Sequence, residues 1–105
     1  MIVVRNVFRL KFGKAREAIG IIKENVAIQK RLATAAGIDS ATRILTDVTG
    51  PFYTVVLELT VPSLSAFEQN APRFMSDKDW QANYQKLQPL VESGYRQIFS
   101  VVATE

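Results

Sequence analysis

The residues best suited to form a binding site lie in the stretch DKDWQANYQKLQPL, Asp77–Leu90. Trp80, the only tryptophan, comes four residues before Tyr84 in a chain without histidine or cysteine. On a helix this spacing places both rings on one stripe with Leu87 and Val91. Such a stripe usually packs against a sheet, with the indole N–H and the phenol O–H reaching polar partners. The same rings can also form one wall of a pocket. We therefore predict core packing first and a pocket wall second.

Asn6 is the second candidate because it interrupts an apolar strand face. In IVVRNVFRLKF, residues 2–12, the alternation places Asn6 between Val4 and Phe8. A buried amide must find hydrogen-bond partners. It can donate and accept at once, which suits a phenol, quinone or enol oxygen. We predict Asn6, Phe8, Trp80 and Tyr84 as ligand-binding residues, with a purely structural amide as the alternative for Asn6.

Charged residues on the predicted strands form a third candidate, the set Arg5, Arg9, Arg43 and Glu58. Two interpretations stay open: ion pairs at the surface or at a subunit contact, and an anion-binding cluster inside a barrel, since Arg suits a carboxylate or phosphate fork. Asp47 and Glu58 do not form a recognisable acid–base pair. Neither a glycine-rich phosphate loop nor a Gly-x-Ser-x-Gly elbow is present. No residue is therefore assigned a catalytic role.

The composition limits the classes of function. A chain of 105 residues with 48% hydrophobic and 22% charged residues is typical of one globular domain, 1–105. The net charge of +3 comes from scattered residues, so we expect no nucleic-acid partner. No apolar run is long enough to span a membrane, and Arg5 and Arg9 argue against a signal peptide. Without cysteine or histidine we expect a cytoplasmic protein that holds no haem, no transition metal and no other cofactor.

Periodicity and turn residues predict four strands and two helical regions, the second of them broken in two. In chain order they are strand 2–12, helix 14–36, strands 40–48 and 52–61, helical region 63–94 and strand 95–103. Gly37 should stop the first helix in a left-handed conformation. Ser63 or Ser65 should cap the next helix, Pro72 should interrupt it, and Ser76 should cap the following one. Pro89 should kink the final turn.

The order β-α-β-β-α-β predicts an α+β, ferredoxin-like fold, with a four-stranded antiparallel sheet covered by helices on one face. The segment FYTVVLEL, 52–59, is apolar on both faces. Two helices cannot also cover all of Phe8, Tyr53, Ile98 and Phe99. We therefore predict a homodimer in which the uncovered sheet faces meet.

Three segments resemble the NIPSNAP-like branch of the dimeric α/β-barrel proteins: MIVVRNVFRLKFGK, GPFYTVVLELTVPSLSAFEQ and SDKDWQANYQKLQPLV. The resemblance implies two sheets that face each other as a barrel, and it favours a barrel-lining position for Asn6 and Phe8. The charge pattern instead favours the Arg5 and Arg9 face, and we choose the Asn6 face. The haem degraders of the superfamily use a strand Asn, a helix Trp and an iron-binding His. Asn6 and Trp80 match the first two, but without histidine we do not expect haem degradation.

The superfamily also contains cofactor-free quinone-forming monooxygenases and muconolactone-isomerase-like enzymes. The resemblance therefore implies a small hydrophobic or aromatic metabolite bound in the barrel, with monooxygenase or isomerase chemistry shaped by Asn6, Trp80 and Tyr84. The alternative is a non-enzymatic dimerisation module with a fully packed barrel. Cavity volume should separate the two, because side chains at native packing density leave no room for a ligand.

Overall fold

One antiparallel sheet carries three helices in the computed structural model, which describes all 105 residues. The elements are β1 (Ile2–Leu10), α1 (Ala15–Ala36), β2 (Ala41–Thr46), β3 (Thr54–Val61), α2 (Leu64–Met75), α3 (Lys78–Leu87) and β4 (Val91–Ser100), with a 3₁₀ turn at Gln88–Leu90. The strand order is β2-β3-β1-β4. The predicted ferredoxin-like fold is confirmed. None of the helices is long and apolar enough to cross a lipid bilayer.

Helix α1 stops where the sequence predicts. Gly37 has a φ of 69°, and its N–H donates to the carbonyl oxygen of Thr34. A residue with a side chain rarely adopts this left-handed conformation, whereas glycine does so readily. The stop turns the chain back towards the sheet and lets β2 begin at Ala41.

The predicted break at Pro72 is wrong, because α2 continues through that residue to Met75. Proline removes one N–H donor, and the turn still closes with a hydrogen bond from the Ser76 N–H to the Pro72 carbonyl oxygen. Ser63 caps α2, since its Oγ accepts from the Ala66 N–H at 3.1 Å. Of the two predicted caps, Ser63 is therefore the one that forms, and Ser65 is not.

Asp77, and not Ser76, caps α3. Its Oδ1 accepts from the backbone N–H of Trp80 at 2.9 Å. The hydroxyl of Ser76 instead turns back and donates to the Arg73 carbonyl oxygen at 3.4 Å. Helix α3 ends at Leu87, so Pro89 lies in the 3₁₀ turn and does not kink the helix.

Gly94 lies inside β4, whereas the sequence predicted that the last strand begins after it, at residue 95. It pairs with Phe8 across the β1–β4 ladder. A Cβ at this position would lie 3.2 Å from the carbonyl oxygen of Val7 and 3.3 Å from Cδ1 of Phe8. The missing side chain therefore makes room for the Phe8 ring on the sheet.

The sheet has a helix face and an open face. The helix face carries Val4 and Leu10 of β1 and Val55 of β3, all at most 1% exposed. Leu10 and Val55 form a core cluster with residues of α1 and α3 and of the turn before β4, namely Ala18, Ile22, Leu87 and Leu90. Asn6 and Phe8 alternate in step with Val4 and Leu10. They therefore lie beneath the helices, and the prediction that their face lines a barrel between two sheets is wrong.

The open face has no helix above it. In register across the four strands it carries Ala41, Arg43, Leu45, Thr54, Val56, Glu58, Thr60, Val3, Arg5, Val7, Arg9, Ser93, Tyr95, Gln97 and Phe99. Tyr95 and Phe99 are 61% and 48% exposed. This face is therefore the one available for contact with another sheet.

Candidate functional site

A cavity of about 1090 Å³ lies between the helix face of the sheet and the helices. Side chains from all four strands and all three helices line it, and most of them are hydrophobic. All four predicted ligand-binding residues are among them: Asn6, Phe8, Trp80 and Tyr84. The fold thus brings together the two predicted sets, one from β1 and one from α3, at a place other than the barrel interior.

Trp80 and Tyr84 form a stacked aromatic pair. Their ring centroids are 4.9 Å apart and the ring planes differ by only 8°. Spacing of four residues on α3 brings the rings side by side, and both are only half-buried. The Nε1 atom of Trp80 is buried without a hydrogen-bond partner. The pair presents a flat wall suited to an aromatic ring, while the indole N–H is covered by protein atoms.

Asn6 is held by Arg96, a residue that the sequence did not single out. Nε of Arg96 donates to Oδ1 of Asn6 at 2.7 Å. The Arg96 guanidinium carbon also lies 5.3 Å from the centroid of the Phe67 ring of α2. Asn6 and Arg96 are direct partners in the β1–β4 register, and both line the cavity. Only the strand pairing reveals this contact, because the two residues are 90 positions apart.

A pair of buried amides joins α1 to α3. Asn25 and Asn83 are 5% and 3% exposed, and Nδ2 of Asn83 donates to Oδ1 of Asn25 at 2.6 Å. Sequence analysis missed both residues. A usable signal was present, since Asn25 follows Ile22 by three positions and Asn83 follows Trp80 by three. Each amide thus lies on the apolar stripe of its helix. Asn25 also lines the cavity.

The predicted charged set lies on the open face, away from the cavity. Nε of Arg43 donates to Oε1 of Glu58 at 2.9 Å, and Nη2 contacts the same oxygen. Nε of Arg5 lies 3.7 Å from Oε2 of Glu58, whose side chain is only 12% exposed. Arg9 is exposed and makes no ion pair. Arg5, Arg43 and Glu58 therefore meet in ion pairs, whereas Arg9 does not take part.

Charged groups are few around the cavity. Its charged lining residues are Lys30, Asp39 and Arg96, all exposed. Asp47 accepts a hydrogen bond from the Thr54 N–H at 3.0 Å and so stabilises the connection between β2 and β3. No group of three or more acidic side chains could hold a metal ion. The cavity thus offers flat aromatic surface and hydrogen-bond donors, and no carboxylate pair for acid–base chemistry.

Solved structures with the same fold are known. An NIPSNAP domain protein from Burkholderia xenovorans matches with a TM-score of 0.83 and 21% identity over 98% of this chain and 96% of that chain. An NIPSNAP family protein from Agrobacterium tumefaciens matches with a TM-score of 0.80 and 24% identity over 94% and 90% of the two chains. The chain has the NIPSNAP-domain fold. The resemblance predicted from its three segments is confirmed at this level.

A more distant match extends to an enzyme. A cofactor-independent oxygenase from Streptomyces nogalater has a TM-score of 0.68 and 14% identity over 98% of this chain and 94% of that chain. At such identities the likeness concerns the fold. Neither a scan of protein-family models nor a search of curated proteins found a match to the sequence.

Proposed function

We propose that this protein binds a small hydrophobic aromatic metabolite in the cavity between its sheet and its helices. The observation that carries the proposal is the meeting of two sets of side chains in one cavity. The stacked Trp80 and Tyr84 supply flat surface from α3, while Asn6 and Arg96 supply hydrogen-bonding groups from the sheet. This differs from the site expected between two sheets of a barrel.

The size of the cavity supports a ligand of two or more fused rings. Ligand pockets in proteins typically measure about 300 to 1,000 Å³, and this cavity has about 1090 Å³. Its walls are mostly hydrophobic, with a few polar groups at defined places, which is the usual composition of a small-molecule site. A protomer packed solid between its layers would show no such space.

Monooxygenation without a bound cofactor is the reaction that we propose if the site is catalytic. In such a reaction a methylene carbon between hydroxylated rings becomes a carbonyl, one atom of O₂ enters the product, and the other leaves as water. The protein would orient the ring on Trp80 and Tyr84, and the amide of Asn6 and the guanidinium of Arg96 would stabilise an oxyanion as it develops. The oxygenase from Streptomyces nogalater, which shares the fold, supports this choice over an isomerisation.

Native mass spectrometry of the purified protein tests the binding proposal directly. We expect a retained ligand, or a mass shift on adding hydroxylated naphthalenes and anthracenes, together with a raised melting temperature. The matched control is a Trp80→Ala, Tyr84→Ala double variant, which should lose both effects. A wild-type protein whose mass and melting temperature respond to no compound of the panel would contradict the proposal.

A second candidate function is a non-enzymatic dimerisation module. The observation in its favour is the open face, where Tyr95 and Phe99 are exposed beside Val7 and Val56. Under this alternative the sheet contact is the whole function, and ligands would have no effect on the melting temperature. The same panel of compounds therefore separates the two candidates.

A further inference from the structure

The orientation of the Asn83 amide follows from its contact with the backbone. Nδ2 of Asn83 donates to the carbonyl oxygen of Ile21 at 2.9 Å. A carbonyl oxygen can only accept, so the group facing it must be the NH₂ of Asn83 and not its oxygen. The second hydrogen of that NH₂ group is then the one that points to Asn25, at 2.6 Å. Asn83 thus fixes which atom of Asn25 it contacts.

The same reasoning orients Asn25. Because Asn83 donates, the atom of Asn25 that faces it is Oδ1, and the NH₂ group of Asn25 points elsewhere. No protein group accepts from this NH₂. Asn25 lines the cavity and is 5% exposed, which makes it the only polar lining side chain that is buried. Nδ2 of Asn25 is not one of the fully buried atoms without a partner, so it keeps a surface from which it can donate to an acceptor in the cavity.

A second unpaired donor belongs to helix α3. Trp80, which like Asn83 belongs to α3, has its indole Nε1 buried without a partner. An indole N–H can donate and cannot accept. This N–H is covered by protein atoms, as is the unpartnered Oδ1 of Asn83, so neither reaches a ligand in the cavity. The NH₂ of Asn25 is the donor that this part of the wall offers to an acceptor.

We infer that Asn25, held in place by Asn83, is a ligand-positioning residue. It selects aromatic ligands that carry a carbonyl-type acceptor oxygen, such as a ketone, a quinone or an enolate, at the end of the ring system that enters between α1 and α3. An aromatic hydrocarbon of the same shape leaves the donor unpaired and binds more weakly. This inference rests on the proposed binding function and specifies the class of ligand.

Fluorenone and fluorene form a matched pair of probes, because they share a tricyclic skeleton and differ by one carbonyl oxygen. Dissociation constants for both are measured by equilibrium dialysis. We expect the wild-type protein to bind fluorenone about tenfold more tightly than fluorene, as one additional hydrogen bond to a donor that the bound ligand shields from water implies. The ratio of the two constants is the readout, since a change in overall fold affects both probes alike.

Asn25→Asp is the decisive variant. It keeps an oxygen for the Asn83 donor and replaces the cavity-facing NH₂ by a second oxygen, so the contact between α1 and α3 remains. We expect the preference for fluorenone to disappear while fluorene still binds. Asn25→Leu, which removes both atoms, should abolish the preference as well. Gln85→Glu makes the same change of amide to carboxylate at an exposed position of α3 outside the cavity and should leave the preference intact.

The outcomes show separately whether the role of Asn25 is wrong and whether the proposed binding function is wrong. If the wild type binds both probes and Asn25→Asp keeps the preference, or weakens both probes equally, Asn25 is only structural and the inference is wrong. If the wild type binds neither these probes nor any compound of the hydroxylated panel, the cavity does not bind aromatic ligands, and the inference falls with the proposed function.

Discussion

At the scale of single residues, Asn6 is half-buried and only one end of its amide has a partner in the protein. Its oxygen accepts from Nε of Arg96, and its NH₂ group has no partner in the protein. Arg96 is exposed, so water can replace Asn6 as its partner. Truncating Asn6 should therefore cost little free energy of folding, and we propose that its NH₂ group donates to an oxygen atom of a ligand in the cavity.

We predict that Asn6→Ala lowers the free energy of unfolding by about 1 kcal/mol or less, because only one partly exposed hydrogen bond is lost. The same variant should lose the rise in melting temperature on adding a hydroxylated aromatic. Thermal melts with and without the compound measure both effects. The matched control is Gln97→Ala on the open face, which should keep the ligand response. A strongly destabilised Asn6→Ala that still responds to the ligand would make Asn6 a core residue.

The absence of two residue types also leads to a prediction. Haem iron and transition metals bind mainly through imidazole and thiolate groups, and the chain contains neither histidine nor cysteine. We predict that the purified protein has no Soret band and less than stoichiometric zinc and iron. Absorption spectroscopy and elemental analysis check this, and a tightly held equivalent of either metal would contradict it.

At the scale of elements, the pairing of β1 with β4 depends on a glycine that the sequence suggested as a boundary. Gly94 stands opposite Phe8, and the closest atoms to an added Cβ would be the Val7 carbonyl oxygen and the Phe8 ring. The backbone atom cannot move without disturbing the ladder that also carries the Asn6–Arg96 contact. We therefore expect that any side chain larger than that of glycine at position 94 disturbs the sheet.

Gly94→Ala and Gly20→Ala form a matched pair for this point. We predict that Gly94→Ala lowers the free energy of unfolding by about 1–3 kcal/mol, because the new methyl group overpacks the site. Gly20 lies inside α1 with nothing within 4 Å of an added Cβ. Gly20→Ala should therefore stabilise the protein, by about 0.5–1 kcal/mol, through helix propensity. Chemical denaturation of both variants measures the difference, and equal effects would refute this explanation of Gly94.

At the scale of the whole molecule, we propose that two chains pair through their open faces. That face carries the apolar side chains of Val7, Val56 and Phe99 around the ionic contact of Glu58 with Arg43. An antiparallel sheet with one face in water usually presents mostly polar residues there. A second copy is the simplest cover, since a two-fold axis brings the same surface to both chains.

We predict that the wild type has twice the 11.7 kDa mass of one chain in light scattering at micromolar concentration. Val56→Glu and Phe99→Glu should each halve that mass, because a charge would be buried without a partner. Val48→Glu is the control, since Val48 is 96% exposed in the connection between β2 and β3. Circular dichroism confirms that each variant stays folded. A wild-type particle with the mass of one chain would contradict the proposed homodimer.

The sequence by itself determined the order of the elements, the stop of α1 at Gly37 and the position of Trp80 and Tyr84 on one stripe of a helix, since these depend on contacts within a few residues. It also determined the residue types present, and hence the expected ligand chemistry. Alternation along β1 separated two faces but did not show which one the helices cover, because both carry apolar residues. Only the tertiary structure decided that Asn6 faces the helices.

The polar contacts of the cavity could not be predicted from the sequence for the same reason. Asn6 meets Arg96 across 90 positions, and Asn25 meets Asn83 across 58. Each contact exists only once the register of β1 with β4, or the packing of α1 on α3, has been formed. Local patterns specify which side chains share a face of one element, whereas the distance between faces of different elements is set by the packing of the whole core.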